Sequence, residues 1–170
     1  MTKIILGFLV FLGSAIAVEL GKVPSGIVLD GENGGRTDGS AWNSNMLKGK
    51  VHILFYVDPD ERKLNEPLIQ ALKKRHFDRK KYASVAMINL AATWLPNAVL
   101  ESKLEKKQKE FPDTIYVKDK KKVLVSKWKL ADDNSDILIF DKNGKLIYKK
   151  FGKLSTNEIT EVITLIEKNL

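Results

Sequence analysis

The segment VHILFYV, residues 51–57, is an apolar, β-branched and aromatic run. It passes directly into Asp58-Pro59-Asp60-Glu61 and then into Leu64, Leu68, Ile69 and Leu72 at helical spacing. Strand, tight turn and helix in immediate succession form a unit that displays whatever group the turn carries. The helix is specified locally. Asp58 is placed to cap it, Pro59 to occupy its first position, and Glu61 to reach back as in a capping box. Pro67 is then an interior proline and predicts a kink, because it removes one backbone donor and crowds the preceding turn. The cations of KKRHF (73–77) suit the negative end of the helix dipole.

Further elements follow in the same alternation. YASVAMINL (82–90) reads as a second strand. A helix starting near Pro96 carries Val99, Leu100, Leu104 and Phe111 inward, and TIYV (114–117) is a third strand. VLVSKWKL (123–130) fits either a strand, by its β-branching, or a short helix, by the spacing of Leu124 and Trp128. DILIF and KLIYKKF, joined by Asp141-Lys142-Asn143-Gly144, predict a β-hairpin with Ser135 just outside it. The last helix has Ser155 and Glu158 as a capping box, with Ile159, Val162, Ile163 and Ile166 on one face. Before all of these, GIVLDGENGGRTDG (26–39) predicts a strand and a glycine-rich turn. Its carboxylates Asp30, Glu32 and Asp38 would repel phosphate, so it is no nucleotide loop.

The first 17 residues have one lysine, an apolar centre and Ala15-Ile16-Ala17, the pattern of a cleaved export signal. Cleavage after Ala17 leaves 18–170 as a single domain, with no later run long enough to span a membrane. The expected location is the periplasm. The formal charge of +8 falls by one with Lys3, and export removes genomic DNA as the partner of this basic chain. With no cysteine at all, the domain must be held by its core, and thiolate chemistry is excluded.

The order βαβα, hairpin, helix is that of a thioredoxin-like fold: α/β, with a mixed central sheet flanked by helices and here an N-terminal strand extension. Through WNS (42–44), LKGKV (47–51), NEPLIQALK (65–73), LESKLEKKQKEFP (100–112) and WKLADDNSDILIFDKNGK (128–145), the chain resembles the YtfJ family of periplasmic proteins. That resemblance implies a thioredoxin-like, exported protein without a securely assigned biochemical role.

Thioredoxin-like reductases carry Cys-x-x-Cys at the start of the kinked helix, where the positive helix end lowers the thiol pKa. Counting back from Pro67, those places fall on Pro59 and Arg62, and the place of the opposing cis-proline falls on Ser135. No thiol oxidoreductase activity and no cofactor are therefore expected. The turn displays carboxylate instead. In this fold Asp58, Asp60 and Glu61 would share one edge with Trp94, Asp132, Asp133 and Asp136. Such an edge suits a hard cation such as calcium, or a cationic peptide. The plainer reading is helix capping and turn chemistry. His52 and His76 have no third partner and are expected to be neither catalytic nor metal-bound. Two functions stand: a non-catalytic binding or adaptor module for a periplasmic protein or peptide, and a divalent-cation-dependent protein or enzyme using the acidic edge.

Overall fold

Every residue of the strand Val51–Val57 (β4) is buried, because helices cover both faces of the sheet in which it is central. The computed structural model describes residues 17–170, so the export signal expected over 1–17 lies outside the described residues except for Ala17. The main sheet has six strands: β2 (Gly34–Arg36), β4, β5 (Tyr82–Asn89), β6 (Thr114–Asp119), β7 (Ser135–Phe140) and β8 (Leu146–Phe151). Their order is β2-β6-β5-β4-β7-β8, with β4, β5 and β6 parallel to one another and the remaining pairings antiparallel. β1 (Val28–Leu29) and β3 (Trp42–Asn43) pair as a small separate sheet. Together with β2 they form the N-terminal extension.

The period of two along β4 divides the core. Ile53, Phe55 and Val57 face α1 (Glu66–Arg75) and α4 (Thr156–Asn169), through Leu68, Val162 and Ile166. Leu54 and Tyr56 face a second cluster holding Trp42, Leu124, Trp128 and Phe140. α2 (Asn97–Glu110) lies over the β5–β6 side, with Leu100 and Leu104 packed near Leu90, Ile88 and Tyr116. At the β2 edge the backbones approach so closely that a Cβ on Gly34 would lie 1.9 Å from the Lys118 carbonyl oxygen. Only glycine fits there.

The structure departs from the expected elements in four places. The kinked helix is instead a 3₁₀ turn, Pro59–Glu61, followed by a separate helix beginning at Glu66. Pro67 thus sits in the first turn of α1, where its missing N–H would have had no intrahelical partner anyway, and it induces no kink. Asp58 does cap the turn, accepting the Asp60 N–H at 2.8 Å, but the Asp58 N–H goes to the Asn134 carbonyl and leaves Glu61 no capping box to close. Val99 faces outward, whereas Leu100 and Leu104 are buried as expected. Ser135 is the first residue of β7, paired with Val57, rather than outside the hairpin.

The segment left open between strand and helix forms α3 (Val123–Trp128). Its start is held by a carboxylate from the preceding strand: Asp119 accepts the N–H groups of Val123 at 2.9 Å and Leu124 at 3.0 Å. The hairpin and the closing helix agree with expectation, including both halves of the Ser155–Glu158 capping box. No described helix is long and apolar enough to cross a membrane.

Candidate functional site

The carboxylates expected at one edge divide into three environments. Asp60 is exposed and Glu61 half-buried on the 3₁₀ turn, while Asp58 is buried, its carboxyl pushed up by that burial and by the charges of Asp60, Asp133 and Glu61. Asp132 and Asp133 lie close by, and the cation between them is already present: Lys122 Nζ is 2.6 Å from Asp132. The Asp132 bond, with the charges of Asp133 and Asp58, holds this lysine above its usual range. Burial acts upward on Asp132, but the Lys122 bond and charge outweigh it and lower its pKa. Asp136 is buried on the same side of the sheet as Asp132, both bearing on the Tyr56 hydroxyl, but it has no cation beside it. Among the described residues no three acidic or histidine side chains converge as ligands of one ion. The six carboxylates expected to serve calcium are thus taken up by capping, by ion pairing and, for Asp136, by burial, and do not converge as one ligand set.

Asp136 pairs across strands with Tyr56, and both belong to a buried polar layer at the carboxyl end of β4. The Tyr56 hydroxyl donates to Asp119 at 3.1 Å, Asn89 donates to Asp132 at 3.0 Å, and Asp136 Oδ2 accepts the Ala131 N–H at 2.8 Å. Among the described residues Asp136 Oδ1 and Asn89 Oδ1 have no hydrogen-bond partner. Burial drives the Asp136 carboxyl up to about 7, and the Ala131 N–H offsets only part of this. The sequence pattern puts Asp132 and Asp136 at one edge but carries no sign of Tyr56, Asn89 and Asp119 beside them.

The other face holds a cleft of about 980 Å³ between α1 and α2. It exists because of side-chain size. The residues that β5 turns toward these helices are Tyr82, Ser84, Ala86 and Ile88, so the two central ones leave unfilled the space that large side chains would occupy. Phe55, Val57 and Tyr116 complete the floor; Ile69 and Leu72 of α1 and Leu100 and Leu104 of α2 form the walls. Its lining includes Pro59, Arg62 and Ser135, the three residues expected where a reductase has its cysteines and its cis-proline; Arg62 is exposed at the mouth, with Pro59 and Ser135 buried beside it. Among the described residues there is no cis peptide bond. Trp94 does not join this site: it is 86% exposed at the approach to α2, and it is Leu95 that lines the cleft.

The mouth is pinned by Asn65, which the sequence reading did not single out. Buried between the 3₁₀ turn and α1, it donates to Ser135 Oγ at 3.1 Å and to the carbonyls of Ser135 and Gly152 at 3.2 and 3.1 Å, and accepts the Leu154 N–H at 3.0 Å. The cleft itself had a signal in the sequence, the small residues Ser84 and Ala86 at period two within a strand. Asn65 had none, because its partners lie 70 and 87 to 89 positions away.

The geometry agrees with comparison to known proteins. The thioredoxin domain of a thiol-disulfide oxidoreductase from Bacteroides vulgatus superposes with a TM-score of 0.60 at 17% identity, covering 88% of this chain and 98% of that one. At that identity the likeness concerns the fold alone. An uncharacterised protein of Haemophilus influenzae is 32% identical over 143 residues, 82% of this chain and 76% of its own length. The uncharacterised protein YtfJ of Escherichia coli K12 is 28% identical over 133 residues, 76% of this chain and 72% of its own. Residues 25–169 match the family model described as a bacterial protein of unknown function, YtfJ_HI0045. The chain therefore belongs to the YtfJ family, a cysteine-free member with a thioredoxin-like fold.

Proposed function

We propose that this protein is an exported, non-catalytic binding module acting in the periplasm, with the α1/α2 cleft as its site of contact. The observation that carries this reading is that the cleft takes in Pro59, Arg62 and Ser135, the positions expected for redox groups, and none of these side chains can pass electrons. An accessible, largely preformed and mostly apolar concavity with a few polar groups at its mouth is the usual form of a binding site. Export is supported by the leader-like N-terminus, with Val18 as the expected first mature residue.

Three measurements test this. N-terminal sequencing of protein from its native host should begin at Val18 or within a few residues of it; retention of Met1 would refute export. Insulin reduction and peroxide turnover should equal a protein-free control. Immobilised mature chain should retain a component of periplasmic extract that the Arg62→Glu, Lys63→Glu double variant loses. Equal retention by both would place binding outside the cleft.

A further inference from the structure

We propose that the cleft between α1 and α2 binds a long-chain fatty acid, its acyl chain lying over β5 and its carboxylate at the cationic mouth, an inference that rests on the binding-module reading above. The floor from Ile88 to Tyr82 follows one strand face for about 20 Å, close to the length of an extended chain of about 16 carbons. The floor is apolar at Phe55, Val57, Ala86 and Ile88, and the walls at Ile69, Leu72, Leu100 and Leu104, so an acyl chain laid between them gains burial there.

Charge complementarity fixes the head group. Seven cationic side chains line the cleft against three acidic ones. Two of the cations are already paired, Arg79 with Asp113 at 3.5 Å and Lys107 with Glu110 at 2.8 Å. Arg62, Lys63, Lys73, Lys103 and Lys106 have no ion-pair partner among the described residues. The two ends of the cleft differ. At one, the Phe111 ring lies beneath Lys73 at 4.5 Å and Lys107 at 4.8 Å, an aromatic closure joining the two helices. At the other, Arg62 and Lys63 stand at the open mouth beside Pro59 and Ser135, which is where a carboxylate would be held.

The same floor disfavours a peptide. β5 is an interior strand whose backbone groups are committed to β4 and β6, and the Ser84 hydroxyl is already 3.0 Å from the Tyr82 hydroxyl. Peptide amides laid along it would lose water without gaining partners, whereas an acyl chain carries no polar group to desolvate.

The test is calorimetric titration of the mature chain with palmitate below its micellar concentration, beside hexadecanol and an acidic leucine-rich peptide. Saturable one-to-one palmitate binding is expected. Ala86→Trp should weaken it more than about tenfold by filling the floor, and Arg62→Glu with Lys63→Glu about tenfold by reversing the mouth. Lys127→Glu, on α3 across the sheet, should leave it unchanged. If Ala86→Trp fails to fold by circular dichroism, the charge variant decides. Absence of saturable palmitate binding, equal affinity for hexadecanol, or an unaffected charge variant would overturn the proposal. Preference for the peptide would also overturn it while leaving the binding module intact. If cleft-dependent retention from extract is lost as well, both readings fall.

Discussion

Asn65→Ala should lower the unfolding free energy by about 3 kcal/mol and the melting temperature by about 10 °C. The side chain is buried and bonds to three separated segments: the start of β7 through Ser135, the end of β8 through Gly152, and the approach to α4 through Leu154. Truncation removes the donor for two carbonyls and the acceptor for one N–H, and no nearby group among its partners replaces it. Leaving buried polar groups unpaired costs more than the bonds contribute on average. Ser135→Ala, which removes one acceptor and strands none of the backbone groups, should cost about 1 kcal/mol. Urea unfolding of both variants checks the ranking. A loss below about 1 kcal/mol for Asn65→Ala would mean that water replaces its bonds and that the mouth is not held as described.

Asp136→Asn should remove a pH dependence that the wild-type protein carries between about pH 4 and pH 7. The carboxyl is fully buried, and its folded pKa is raised to about 7. The folded state therefore binds this proton more tightly than the unfolded state does. The protonated group is accommodated at low pH, and the associated stability is lost as pH rises through the folded value. A rise of that size corresponds to about 4 kcal/mol, as an order of magnitude. The facing groups do not supply a counter-charge: Tyr56 on β4 bonds to Asp119, Asn89 on β5 bonds to Asp132, and Asp132 is itself paired with Lys122. Asparagine can accept the Ala131 N–H with its oxygen while placing an amide donor where Oδ1 now has no partner. The variant should match the wild type near pH 4 and exceed it by a few kcal/mol at pH 8. Parallel stability profiles across that range would show that Asp136 is ionised in the folded protein at no cost.

Local patterns in the chain determined much of this protein. The apolar run at 51–57, the Asp141–Gly144 turn and the Ser155–Glu158 box each act within a few residues, and each appears in the structure where the pattern put it. The absence of cysteine excluded thiol chemistry without reference to any fold. Tertiary structure decided what local pattern leaves balanced. By sequence Pro67 reads as an interior proline of a helix begun at Asp58; in the structure it stands in a first turn, and the bond from the Asp58 N–H to the Asn134 carbonyl accompanies that arrangement. The segment 123–128 became a helix because Asp119, on another element, caps it. The site moved for the same reason. Thioredoxin-like topology suggested that carboxylates distant in sequence would meet at an acidic edge, but Asp136 is drawn into the buried layer beside Tyr56, Ser135 turns to the other face and Lys122 enters among the rest. The cleft arises where Ser84 and Ala86 fall between two helices that lie apart, and the separation of packed elements is set by the whole core rather than by any one segment.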